Sequence, residues 1–252
     1  MSHLTAQTSL PLSLSTRRDW AAEQSISYLM QQGLVNRDVI SLAAGFVDEV
    51  TLPVELVQNA MQRIFADRAC GQRALQYGST GGNVDLQTQL LNHLARLEHC
   101  SLSELGIEQD QIIVTAGSQQ LLNHVSEVLL DPGDICLVSA PTYFVFLGTL
   151  NGVGATTIAV ESDENGMKMD ALEATLSKLE AAGDLPRVKL IYLVSSFENP
   201  SGMTLADDRR RTAVDLARRF SKSHRILILE DAAYRELRYE GEDGSSIWNC
   251  DE

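Results

Sequence analysis

The sequence predicts an α/β fold, a doubly wound, mostly parallel sheet with helices on both faces. Three observations carry this. From about Thr51 onward, short β-branched runs alternate with amphipathic stretches, the order that a parallel sheet with helical crossovers requires. The runs are near-continuously apolar rather than alternating, as in strands buried on both faces. The 252 residues, 44% of them hydrophobic, suffice for one large domain with a sizeable core, with or without a small appendage.

In chain order, Met1 to Ser15 is rich in Ser, Thr and Leu without a sustained period and reads as an arm or strand-like extension. Trp20 to Gln32 reads as a helix. A second helix is predicted from Pro53 to Ala66, with proline near the first turn where its missing N–H costs least, and a third from Asn83 to Leu97. The predicted strands are Gln111 to Thr115, Ile135 to Ser139, Ala155 to Val160, Val188 to Val194 and Arg225 to Glu230. After the first of them, Leu121, Leu122, Val125, Val128 and Leu129 form an apolar stripe at helical spacing, stopped by Asp131, Pro132, Gly133 and Asp134. Leu205 to Phe220 repeats the pattern with Ala213, Leu216, Ala217 and Phe220 facing inward, and both stripes read as core.

Charge excludes one class of partner. With 20 Lys+Arg against 34 Asp+Glu the formal charge is −14, the wrong sign for a nucleic-acid backbone. Arg209, Arg210 and Arg211, beside Asp207 and Asp208, read as a solvated helix face. Cys70, Cys100, Cys136 and Cys250 lack C-x-x-C spacing, so neither a metal site nor a disulfide framework is signalled. No apolar run is long enough to span a bilayer and no leader pattern opens the chain, so a cytoplasmic protein is expected.

Ligands of open parallel sheets bind outside the carboxyl ends of the strands. After 111–115 come Gly117, Ser118 and Gln119 at the start of a helix, whose free N–H groups suit a phosphate, although Gly-Ser is also an ordinary cap. After 135–139 comes Tyr143, able to lie against a flat ring or equally to be core. After 188–194 comes Asn199, a donor for a phenolate oxygen or a turn former before Pro200. After 225–230 comes Asp231, suited to a pyridinium N–H or to capping a turn, with Tyr234 three residues on. Taken singly each is ambiguous, but their order along successive strand ends is the pattern a pyridoxal phosphate site needs.

The motifs GSQQ (117–120), DPGD (131–134), PTY (141–143), NPSG (199–202) and DAAY (231–234) resemble, in order, the series of class I/II aminotransferases, fold type I pyridoxal-phosphate enzymes, and are most similar to the α-aminoadipate/kynurenine aminotransferase group. The resemblance runs from about Ile40 to the end. It implies that Ser118 and Gln119 bind the cofactor phosphate, that Tyr143 stacks on the ring, that Asn199 and Tyr234 bond its oxygen and that Asp231 pairs with its nitrogen. Tyr77, in QYGSTGG, looks like the tyrosine that reaches the neighbouring subunit's phosphate, implying a homodimer, and Gly45, in AAGF, resembles the segment that closes over substrate. By this reading residues 1–50 are an N-terminal arm and substrate-side segment, 51–252 are an incomplete PLP-binding large domain, and the C-terminal small domain is absent.

Two departures are visible. The family's cofactor-bonding lysine lies downstream of the Asp-x-x-Tyr motif. Lys168, Lys178, Lys189 and Lys222 fall in helices, at a strand start or in a turn, on the wrong side of the sheet. Leu86-Gln87 stands where members show Leu-Arg, which weakens an expected ion pair. The expected function is therefore that of a pyridoxal-phosphate-dependent aminotransferase moving an amino group between an amino acid and a 2-oxo acid, here as an N-terminal portion inactive alone. The alternatives are a non-catalytic binding or regulatory module and a lyase or decarboxylase on the same fold.

Overall fold

The computed structural model describes residues 12–20, 25–36, 38, 40, 45, 47–241 and 244–251. Its Cα packing forms two compact units, Met1–Ala22 with Ser118–Glu252, and Glu23–Gly117. The 50/51 boundary read from the sequence falls inside the second. Helix α1 (Arg17–Trp20) belongs to the first unit, where the Trp20 carbonyl accepts from the Asn151 amide.

The second unit holds α2 (Ser25–Val35), α3 (Val54–Ala66), α4 (Arg68–Ala74), α5 (Val84–Leu97) and α6 (Leu102–Leu105). The expected helix over Trp20 to Gln32 is represented by α1 and α2, with residues 21–24 outside those described; most of the expected arm, residues 1–11, lies outside them too. Helices α3 and α5 each start one residue inside the predicted boundary because Pro53 and Asn83 are their N-caps. Asn83 Oδ1 accepts from the Leu86 amide at 3.0 Å, satisfying one of the helix's orphan donors.

The predicted strand Gln111 to Thr115 is not a strand. The segment is extended at Ile112 but joins no ladder. Its polar groups go elsewhere: the Val114 amide donates to Gly81 O at 3.0 Å, and Ile112 O accepts from Gln87 Nε2 at 2.7 Å. An apolar run specifies extension, but a strand also needs a neighbour. Gln87, the departure noted above, is 8% exposed and also donates to Gly81 O at 3.0 Å, so neutral hydrogen bonds to two carbonyls stand where an ion pair was expected.

The first unit contains α7 (Ser118–Leu129), β1 (Ile135–Ala140), α8 (Phe144–Gly152), β2 (Thr156–Asp163), β3 (Gly166–Met167), α9 (Met169–Ala182), β4 (Val188–Val194), α10 (Asp207–Phe220) and β5 (Leu227–Asp231). The sheet order is β3-β2-β1-β4-β5, with β3 antiparallel to β2 and every other pair parallel. This is the predicted mostly parallel sheet. Its two faces follow from strand alternation. Ile135, Leu137, Ile191 and Leu193 join the core under α9 and α10, whereas Cys136, Val138, Leu190, Tyr192 and Val194 join the core under α7 and α8. Full burial of each aliphatic side chain contributes about 1.5–3 kcal/mol.

Of the strands predicted from the sequence, β1 and β4 are buried on both faces as expected. Strand β2 is mostly exposed, and β5 is half-buried with Leu227 40% exposed and, among the described residues, no strand on its outer side. Within α7, Leu122 is buried but Leu121 and Val128 are exposed, so the inward stripe is narrower than the sequence pattern. In α10, Ala213, Leu216, Ala217 and Phe220 are buried as expected.

The arginine cluster corrects its solvated-face reading. Arg210 is 1% exposed. Its guanidinium donates to the carbonyls of Leu205 (2.9 Å), Ser195 (2.9 Å) and Ser245, with Asp207 Oδ1 at 3.4 Å. A Cβ at Gly244 would fall 2.7 Å from Arg210 Nη2, so the chain passes too close there for a side chain. Arg209 forks onto Asp163, Nη1 to Oδ1 at 2.6 Å and Nη2 to Oδ2 at 2.8 Å, tying the β2–β3 hairpin to α10. That hairpin turns through Gly166 at φ +86°, where a Cβ would sit 3.1 Å from Leu205 Cα.

Hydrogen bonds from Arg209, then from the Asn165 amide, hold the Asp163 carboxyl at about 2 against an ordinary 3.8. The folded value is depressed, so the pair's stabilisation is complete above the ordinary carboxylate value and disappears as pH falls toward 2. Wild type should therefore exceed Asp163→Asn in urea midpoint at pH 5, and the gap should close by pH 2. An unchanged gap at both values would refute the linkage.

Candidate functional site

The residues after β1, β4 and β5 converge at the carboxyl ends of the parallel strands. Val194 pairs with Asp231 in the β4–β5 ladder, and the Ser195 amide donates to Asp231 O at 3.2 Å, which fixes the end of β5 against the start of the Asn199 loop. Asp231 shares parity with Leu229, so its carboxylate lies on the α7/α8 face. There Oδ1 accepts from the Ala233 amide at 3.1 Å and Oδ2 from the Tyr192 hydroxyl at 2.8 Å. Each oxygen keeps a further lone pair, which suits the group to a third donor.

Tyr143 is the N-cap of α8 and is half-buried. Its hydroxyl is pushed above the ordinary value by burial and then by Tyr234 and Asp231, so these three side chains share one neighbourhood. Tyr192 is fully buried in the strand and packs on Phe146 with ring centroids 4.3 Å apart. Burial, followed by Asp231, raises its hydroxyl well beyond the usual phenol range, so it stays a donor to that carboxylate at all physiological pH.

The loop after β4 is tightly specified. Phe197 adopts φ +49°, a left-handed conformation costing about 1–2 kcal/mol for a residue with a Cβ. It is held by bonds on both sides: Phe197 N to Thr204 Oγ1 at 3.2 Å, Glu198 N to Met203 O at 2.8 Å, and Gly202 N to Glu198 O at 2.6 Å. Asn199, half-buried, follows directly. Around this loop Thr142 Oγ1, Ser195 Oγ and Glu198 Oε1 are buried without a hydrogen-bond partner, a concentration of unpaired polar atoms that native interiors rarely carry away from a binding site.

Ser118 is exposed at the first turn of the 12-residue α7, where backbone N–H groups have no partner within the helix. Gln119 differs from a simple phosphate ligand: its Nε2 donates to Thr149 Oγ1 on α8 at 3.0 Å, leaving Oε1 buried and unpaired. Tyr77 and Gly45 belong to the second unit. Tyr77 is 100% exposed, and a Cβ at Gly45 would meet nothing within 4 Å.

Two site residues were not singled out by the sequence reading. Tyr192 lies inside the aliphatic run of β4, where the available signal is that a buried tyrosine needs a partner for its hydroxyl. Glu198 lies between Phe197 and Asn199 beyond the end of β4, where a carboxyl is itself unusual in a buried loop.

A family model, aminotransferase class I and II, matches residues 37–250. The chain belongs to the class I and II aminotransferases. Among curated relatives, aromatic-amino-acid aminotransferase 1 of Thermococcus litoralis is 35% identical over 215 residues, covering 85% of this chain and 48% of that protein. Mitochondrial kynurenine/alpha-aminoadipate aminotransferase of Bos taurus is 32% identical over 213 residues, covering 81% and 49%. Among solved structures, Pyrococcus horikoshii kynurenine aminotransferase in complex with PMP superposes with a TM-score of 0.82 at 34% identity, covering 94% of this chain and 55% of that one. This aminotransferase chain thus spans about half the length of the relatives it matches.

Its four lysines are placed away from Asp231. Lys189 Nζ donates to Pro186 O at 3.0 Å at the opposite end of β4, and Lys178 and Lys222 are exposed. Lys168 corrects its wrong-side assignment: it pairs with Glu161 at 3.2 Å, and Glu161 is level with Ala140 at the carboxyl end of the sheet. Glu161 is nonetheless on β2, three strands from β5 and so roughly 14 Å across the sheet.

Proposed function

We propose that this chain forms the cofactor-binding part of a pyridoxal-phosphate-dependent aminotransferase acting on an amino acid and a 2-oxo acid. The observation that carries the reading is the convergence of Asp231, Tyr143 and Tyr234 beside the Asn199 loop. The residues fit the group: Asp231 has spare acceptor capacity for a ring N–H, Tyr143 offers a half-buried aromatic face, Asn199 and Tyr234 supply donors for a ring oxygen, and Ser118 with the first amides of α7 supplies donors for a phosphate. When bound, pyridoxal phosphate supplies an aldehyde to take up an amine and a ring that withdraws electrons from it.

The chain's own contribution is orientation and charge. Asp231, kept in place by Tyr192 and the Ala233 amide, holds a proton on the ring nitrogen, which makes the ring the better electron acceptor. Tyr77, fully exposed, is available to a phosphate on a second subunit, which supports a homodimer. We assign Gly45, where an added Cβ would meet nothing within 4 Å, to the segment that closes over substrate.

With Lys168 and Lys189 engaged elsewhere and Lys178 and Lys222 exposed, the 252-residue chain should bind the cofactor without a covalent bond and turn nothing over. Titration with pyridoxamine 5′-phosphate, which carries no aldehyde, should give saturable fluorescence quenching, and amino-acid and 2-oxo-acid pairs should give no product. Borohydride trapping of pyridoxal phosphate on one particular lysine, with turnover, would overturn this reading.

A further inference from the structure

We propose that Glu198 is a positioning residue, a clasp joining the loop after β1 that presents Tyr143 to the loop after β4 that presents Asn199, and so setting the gap between the two side chains. The inference rests on the reading above only in that these two side chains grip a ring; the clasp itself is a property of the chain.

The Glu198 side chain is 3% exposed. A carboxyl so buried is ordinarily found against a cation, but the groups facing it here are hydroxyls: Thr142 and Ser139 from β1 and its loop, and Ser201 from its own loop, whose Oγ lies 3.5 Å from Glu198 Oε2. Thr142 and Ser139 are themselves only 6% and 4% exposed. Neither Glu198 Oε1 nor Thr142 Oγ1 has a partner in hydrogen-bonding geometry, and both are buried. Each is therefore the other's available partner across the two loops.

The charge state fits this use. Burial, outweighing the three hydroxyls, pushes the Glu198 carboxyl above its usual range. The groups that shift the Glu198 carboxyl include no cation, and Tyr192 on β4 is the titratable group whose hydroxyl Glu198 raises in turn. Burial favours the protonated form, and in that form the carboxyl both donates and accepts, so that it can bridge two hydroxyls. The left-handed turn at Phe197 and the flanking bonds of Glu198 N and O to Met203 and Gly202 keep the carboxyl aimed at β1.

Amide hydrogen exchange on the ligand-free 252-residue chain tests the clasp directly. Glu198→Ala should accelerate exchange about tenfold or more in both 142–146 and 199–204, whereas Glu198→Gln, which still donates and accepts, should leave both near wild type. Thr142→Val, which removes the hydroxyl at constant shape, should loosen 199–204 from across the gap and covers the case in which Glu198→Ala fails to fold. Acceleration confined to the substituted loop, or equal loosening in Glu198→Gln and Glu198→Ala, would overturn the proposal. Pyridoxamine 5′-phosphate affinity separates it from the cofactor reading. A tenfold loss in Glu198→Ala with retention in Glu198→Gln supports both. Coupled loosening in Glu198→Ala together with a wild type that does not bind the probe overturns the cofactor reading alone, and unaltered affinity in Glu198→Ala overturns the positioning role.

Discussion

Arg210→Leu is expected to lower the free energy of unfolding by about 3–5 kcal/mol. The guanidinium is buried at the junction of α10, the end of β4 and the segment around Ser245, and donates to carbonyls from all three. Removing it leaves the buried Leu205 carbonyl without that donor, costing about 1–3 kcal/mol, and the lost bonds to Ser195 and Ser245 and the lost packing add to the total. Arg210→Lys should fall between, because an ammonium on a flexible stem cannot span three acceptors in a planar fork. Urea unfolding followed by circular dichroism measures both. A loss under about 1 kcal/mol for Arg210→Leu would mean that the carbonyls find water or other donors. Because Ser195 O is one of the acceptors and the Ser195 amide donates to Asp231 O, partial loosening here should also weaken binding at the strand ends.

Asp231→Asn should weaken pyridoxamine 5′-phosphate binding about 10–100-fold while leaving the fold intact. The carboxylate offers a charge-assisted bond to a ring N–H, and an amide of the same shape offers at best a neutral one. Tyr192→Phe should move affinity in the same direction by a smaller factor, about tenfold or less, since it removes a buried donor from Asp231 Oδ2 without touching the ring. In the double variant the two losses should sum to less than their total, because the Tyr192 hydroxyl acts through the Asp231 charge. Equal affinity for wild type and Asp231→Asn would remove Asp231 from the site. Fully additive losses would remove Tyr192 from its supporting role.

Much of the fold was legible in the residues because burial on both faces forces a recognisable pattern. The near-continuous apolar run Val188 to Val194 is β4 residue for residue, and Ile135 to Ser139 falls one residue short of β1. Helix α10 was legible from spacing and α5 from its Asn83 cap. What failed was also physical. Phe144–Gly152 is apolar on all sides, so it has no stripe to mark it as helix α8. Gln111 to Thr115 has strand composition and no strand partner. Arg210 belongs to a charged run that looks solvated until α10 turns it toward three carbonyls.

The same division holds for the site. That Asp231, Tyr143, Asn199 and Tyr234 stand at the strand ends was legible because strand ends of a parallel sheet all open on one side, so a residue's place in the chain order largely fixes its place in space. The sequence by itself determined the family, the sheet and which residues stand at its carboxyl edge. Tertiary structure alone decided that Tyr192 donates to Asp231, that Gln119 turns to Thr149, that Glu198 faces hydroxyls rather than cations, and that Arg210 is interior. These are partnerships between residues up to about sixty positions apart, and a hydrogen bond depends on ångström-scale placement across packed elements, which periodicity and spacing along one strand or helix do not encode.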